Sequence, residues 1–177
     1  TLGISVVVCI GLICSIKEIS AEYYYQQAII AQSKGDMEKA IENYQSAVLE
    51  KPYEYAYSQG FGDFALKQSA NKNLKPAVQQ KMLILAISNY EKALEINKHH
   101  PSIYFNLATA ELRLNASLSS KGKSITAMNH LSEAVKRAIN NPLYPYQSAK
   151  SLLNLNDQEA LLIAKDYLEK ALQIRPA

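Results

Sequence analysis

Tryptophan is absent from this 177-residue chain, and cysteine occurs only twice, as Cys9 and Cys14. Five residues apart on a helix, that pair points in different directions, so no internal disulfide is expected and the redox compartment stays open. Strong charge of one sign is missing too: 19 basic and 16 acidic residues leave a net charge of +3. The basic residues stand beside acidic ones, as in Glu38-Lys39, Glu91-Lys92 and Glu169-Lys170. This pattern makes solvated helix faces and no phosphate-binding stripe, which excludes nucleic acid as a partner. The six glycines are scattered, so no phosphate-cradling loop is expected. Histidine is limited to His99, His100 and His130. The adjacent pair precedes Pro101 with no Cys, Asp or Glu at ligand spacing, and His130 reads as a helix-surface residue, so neither a metal site nor a Ser-His-Asp arrangement is expected. The expectation is therefore no enzyme, no cofactor and no metal.

What is present is tyrosine, 12 of the 15 aromatics, and one phrase written four times. It reads AIENYQSA (40–47), AISNYEKA (86–93), AMNHLSEA (127–134) and AKDYLEKA (164–171). Each copy places Ala, then Tyr or Leu, then Ala at i, i+4 and i+7, a narrow apolar stripe with a small residue at either end. A neighbouring helix can approach such a stripe closely. Periods of 46, 41 and 37 residues separate the copies, starting at Ala40, Ala86, Ala127 and Ala164. That spacing predicts a stacked helical-hairpin array. Buried tyrosines need partners for their hydroxyls, so they are expected at helix interfaces with one wet edge.

Ahead of the repeats, residues 2–16 read LGISVVVCIGLICSI with no charge before Lys17. As a helix this run spans about 22 Å and is apolar on every side, so it must be buried in lipid or in protein. The nine residues expected to make that contact are Leu2, Ile4, Val6, Val7, Val8, Ile10, Leu12, Ile13 and Ile16. The chain begins at Thr1 without a methionine, so a processed product or a piece of a longer protein is expected. No proline or glycine stands between Lys17 and Lys34; the apolar helix should run unbroken into the first repeat. Tyr23, Tyr24 and Tyr25 then fall either at a lipid interface or in the first repeat helix.

The repeat grammar resembles tetratricopeptide repeats. The signature's small first-helix residue falls at Ala28, Gly62 and Ala108, its preceding large residue at Tyr24 and Tyr104, and its second-helix triplet on the four phrases. Gly35-Asp36 ends one helix and caps the next, and Pro52 and Pro176 close units, with Lys98 and Pro101 in that place for the second unit. The resemblance covers about residues 22–176 and implies an all-α, right-handed solenoid of about four hairpins, divided as residues 1–20 for the apolar helix and 21–177 for the repeats. Its concave face would take a peptide or partner helix on Tyr24, Gln27, Tyr57, Tyr104 and Asn106. Extra residues between the helices of the second and third units, near residues 68–81 and 115–123, are candidate contact loops. Asn115-Ala116-Ser117 is a candidate glycosylation sequon placed in the second of these.

An apolar helix passing straight into such repeats also resembles the C-terminal tail of bacterial O-antigen ligase and polymerase-like membrane proteins, and the opening TLGISVVVCIGL faintly resembles processed type IV pilins, with Ser5 where pilins carry an acid. Three readings follow: a non-catalytic scaffold anchored at a membrane, a subunit of an extracellular pilus-like filament packed through residues 2–16, or the repeat tail of a glycosyl-transfer enzyme whose chemistry lies upstream. Partners are then a protein or peptide, copies of the chain itself, and a membrane, at a bacterial membrane or cell surface of unresolved sidedness.

Overall fold

The computed structural model describes the backbone of residues 2–118, 125–155 and 157–174, and the side chains of those stretches from residue 17 onward. Eight helices and no strand occur among the described residues: α1 (Leu2–Ser33), α2 (Met37–Glu50), α3 (Tyr55–Ser69), α4 (Pro76–Ile96), α5 (Pro101–Ser117), α6 (Ile125–Arg137), α7 (Leu143–Leu153) and α8 (Gln158–Ile174). They pack as the hairpins α1/α2, α3/α4, α5/α6 and α7/α8, each laid against the next. The helical-hairpin solenoid predicted from the phrases is thus the fold.

Local chemistry sets the helix ends. Gly35 adopts φ 77°, the left-handed conformation a β-carbon disfavours, and so turns the chain out of α1. Asp36 then caps α2, its Oδ1 accepting from the Lys39 N–H at 3.1 Å. Asp157 does the same for α8, accepting from the Glu159 and Ala160 N–H groups at 3.0 and 3.1 Å. Pro76 and Pro101 open α4 and α5, where a missing N–H costs nothing. Pro101 therefore begins the third unit and does not close the second, a correction to the expected grammar.

The stripes are buried as predicted for three phrases: Ala40, Tyr44 and Ala47; Ala86, Tyr90 and Ala93; Ala127, Leu131 and Ala134. In the fourth, Tyr167 at i+3 is buried and Leu168 at i+4 packs beside it, while Ala171 is partly exposed. Ala164 keeps the buried first place of the phrase, and only the large buried side chain stands one residue earlier than in the other three. Each buried Tyr or Leu contributes about 1.5–3 kcal/mol.

Two further expectations are corrected. The added length of the second unit is mostly helix: α4 has 21 residues where α2 has 14, and its extension carries the buried Met82 and Leu83. The six residues 70–75 join it to α3, so the connection is shorter than the loop expected over 68–81. Asn115 sits partly buried in the last turn of α5, not in a loop. The remainder of the third-unit insertion, residues 119–124, lies outside the described residues.

Candidate functional site

The first helices α1, α3 and α5 bring a row of polar side chains into register because residues 34 and 46 positions apart share one face. At one end, Glu22 on α1 takes Tyr57 Oη–H on Oε2 at 3.1 Å and the Gln26 amide on Oε1 at 2.7 Å. Tyr57 also packs on the Tyr25 ring at 5.1 Å. Further along, Asp63 Oδ1 on α3 accepts from Tyr90 Oη–H at 2.7 Å and from the Asn106 amide at 2.9 Å. The Gln59 amide donates to Ser102 Oγ at 3.4 Å, and Arg113 donates to the Leu66 carbonyl at 3.5 Å. This ladder ties α1 to α3 and α3 to α5 through side chains while leaving Asp63 with substantial water-facing surface.

Electrostatics single out the same residue. Burial of its carboxyl pushes the Asp63 pKa above the ordinary carboxylate value, against the lowering effect of its bonds from Tyr90 and Asn106. Beneath it, burial raises the Tyr90 hydroxyl far above its usual value, helped by the Asp63 charge. The Tyr44 and Tyr57 hydroxyls are pushed up to about 12, chiefly by burial. Tyr44 donates to Gln32 Oε1 at 3.0 Å. Each of these buried tyrosines meets its polar partner at a helix interface, as expected from their number.

The five residues predicted to face a partner do not form one surface. Asn106 joins Asp63 in the ladder, and Tyr24 and Gln27 stay partly accessible on α1. Tyr57 is buried, because its position on α3 points at α1 and its hydroxyl is spent on Glu22. Tyr104 lies elsewhere. It lines a groove of about 480 Å³ with Glu91, Leu94 and Glu95 of α4, Lys98 of the turn after it and His130 of α6. The Arg137 guanidinium sits 4.5 Å above its ring and donates to the Lys98 carbonyl at 2.8 Å. His130 is no bare surface residue: its Nδ1 lies 2.9 Å from Glu111 Oε2. Sequence reasoning missed Asp63, although an acid in an otherwise apolar turn of helix, Phe61-Gly62-Asp63-Phe64, was the available signal. No group of His, Cys, Asp or Glu among the described residues could hold a metal, and no helix among them is long and apolar enough to cross a membrane.

Comparisons with known proteins agree with this geometry. Residues 21–53, the first hairpin, match the family model for the tetratricopeptide repeat. The chain is similar to the photosystem I assembly protein Ycf3 of Prochlorococcus marinus, 32% identical over 107 residues that make up 60% of this chain and 57% of that relative. It thus spans little more than half the relative's length. Among solved structures, the MamA RS-1 ArsTM double mutant superposes with a TM-score of 0.63 at 15% identity, covering 88% of this chain and 75% of that one. PilF of Pseudomonas aeruginosa gives 0.61 at 16% identity, covering 89% and 62%. At such identities the likeness is one of fold. The chain is accordingly a helical-hairpin solenoid of tetratricopeptide type whose first unit matches the repeat family itself.

Proposed function

We propose that this solenoid is an assembly scaffold that takes a peptide or helix of a partner protein along the row of first helices, with Asp63 as the polar anchor. The observation that carries this reading is the half-satisfied carboxylate. Tyr90 and Asn106 both bond to Oδ1, which holds the group rigid and leaves Oδ2 to accept an N–H or basic side chain from a bound chain. A donor meeting a preorganised, partly desolvated carboxylate gains more than one meeting a solvated acid, about 1.5–3 kcal/mol. Asn106 flanks the anchor in the same row. The assembly role named for the Prochlorococcus relative supports this reading. Selection of a random peptide library on the folded chain should enrich sequences with a basic or amide donor. Their affinity should fall about ten- to a hundredfold for Asp63→Asn at unchanged helix content; enrichment indifferent to Asp63 would contradict the site.

The apolar leader supplies the attachment. Its backbone is one helix with the first repeat helix, Leu2–Ser33, so whatever holds residues 2–16 also fixes the repeat array stiffly. The nine leader side chains expected to make the contact lie outside the described side chains. Attachment at a bacterial membrane or surface, packing in a pilus-like filament, and tethering behind the spans of an O-antigen ligase-like enzyme remain the three contexts. Reading what is encoded before Thr1 separates them.

A further inference from the structure

We propose that copies of this chain stack end to end, the first hairpin of one continuing the array of another where its last hairpin ends. The repeat register carries the argument. Counting along the first helices from the buried small residues Ala28, Gly62, Ala108 and Ala149, the position five residues earlier faces the preceding hairpin. Tyr57 there reaches Glu22 and Tyr25 of α1, and Tyr144 meets Phe105 of α5 at 6.1 Å. The position two residues later does the same, with Phe64 buried against Ala28, Ala31 and Tyr44 of the first hairpin. In the first hairpin these two positions are Tyr23 and Ile30. Tyr23 is 59% exposed where Tyr57 is 8%, and Ile30 is likewise exposed where Phe64 is buried.

The other end carries the complementary half. The position three residues before the small one faces the following hairpin: Tyr25 packs on Tyr57, Gln59 bonds Ser102, and Phe105 meets Tyr144. Its fourth member, Tyr146, is 53% exposed. On the second helices, Val48, Leu94 and Val135 wall successive grooves against the next second helix. Leu172, the same register in α8, is 69% exposed where Val135 is 6%. Among the described residues, both halves of the interface that joins the hairpins inside the chain are thus present and unmated, one in the first hairpin and one in the last. A surface that already fits a hairpin of this chain fits the corresponding hairpin of another copy. Such a contact is heterologous and builds rows of copies, not a closed dimer.

The test uses the 177-residue chain in one mild detergent throughout, followed by sedimentation velocity across a concentration series. The unaltered chain should grow past the dimer with concentration. Tyr23→Glu/Ile30→Glu blocks the front face and Tyr146→Glu/Leu172→Glu the back, all at positions exposed in the single copy, so helix content by circular dichroism should hold. Each doubly substituted chain alone should be monomeric, and a mixture of the two should form a one-to-one pair and nothing larger. A front-blocked chain that still dimerises would show back-to-back pairing and overturn the proposal. Association unchanged in both variants would place it on the leader helix and overturn it equally, as would an unaltered chain that stays monomeric.

Discussion

The first two hairpins and the last two are built on the same backbone grammar and filled differently. In α1–α4 the space between helices is taken by rings: Tyr44 stacks on Phe61 at 5.4 Å and an interplanar angle of 11°, Tyr25 meets Tyr44 and Tyr57, and Tyr90 is fully buried. In α5–α8 the core is mainly aliphatic, from Ala108, Ala127, Leu131, Val135, Ala149, Leu152, Ala160 and Ala164, with Tyr167 as its buried ring. Rings need room, and α3 makes it with glycine. A β-carbon on Gly62 would lie 2.8 Å from the Tyr90 ring, and one on Gly60 would lie 2.2 Å from the Tyr25 hydroxyl. A repeat fold therefore specifies volume at a register and not residue type: where the second helix supplies a ring, the first helix gives up its side chain.

Substitutions test that comparison, the largest effects first. Removing the large residue should break either half. Tyr90→Ala should cost about 3–5 kcal/mol and Leu131→Ala about 2–5 kcal/mol by denaturant unfolding, because neither fully buried site can collapse between helices held by their alanines. Adding a methyl at the glycines should discriminate. Gly62→Ala meets a ring locked by burial and by its bond to Asp63, and should destabilise by about 1–3 kcal/mol. Gly60→Ala meets the hydroxyl end of the half-buried Tyr25, whose ring Tyr44 and Tyr57 hold; the helix propensity gain of about 1 kcal/mol offsets part of that overlap, so its net cost should be smaller than that of Gly62→Ala.

Alkali should sharpen the contrast further. Tyr44 and Tyr57 hold pKa values of about 12 in the fold, above the unfolded value of about 10. Between those values the unfolded chain releases protons that the folded one keeps. Stability present below pH 10 is therefore lost as pH rises toward 12. Melting temperature should fall across that window, and Tyr44→Phe with Tyr57→Phe should flatten the fall. The smallest effect concerns Asp63, whose raised pKa adds stability below the ordinary aspartate value that disappears as pH climbs through the raised one. Asp63→Asn should remove that slope in a melt series on the acid side of neutrality.

The fold was legible because its signal is local and repeated. Ala40, Tyr44 and Ala47 announce one helix face without reference to anything distant, and the same face recurs at Ala86 and Ala127. The cap at Asp36 and the turn at Gly35 are equally short-range. The site was less legible because it depends on which first-helix positions face a neighbouring helix. Tyr57 and Asn106 were chosen as outward residues, yet one helix position decides between burial against Glu22 and a place in the ladder with Asp63. Tyr104 looked equivalent to Tyr24 in the repeat signature, but Arg137 and His130 of α6 draw it into a groove on the second-helix side. The added length before Ala86 read as a loop because an insertion leaves no mark of its structure in the spacing. Its helical content, Met82, Leu83 and Leu85, becomes evident only once α4 packs against α3 and α5.

Hairpins hold together where a large side chain on one helix enters the gap left by a small residue on its partner. A double-mutant cycle of Gly62→Ala and Tyr90→Leu measures that directly. With Tyr90 present, Gly62→Ala should destabilise; with leucine there, the added methyl should be neutral or stabilising, giving a coupling of at least about 1 kcal/mol. An equal cost for Gly62→Ala in both backgrounds would contradict the claim.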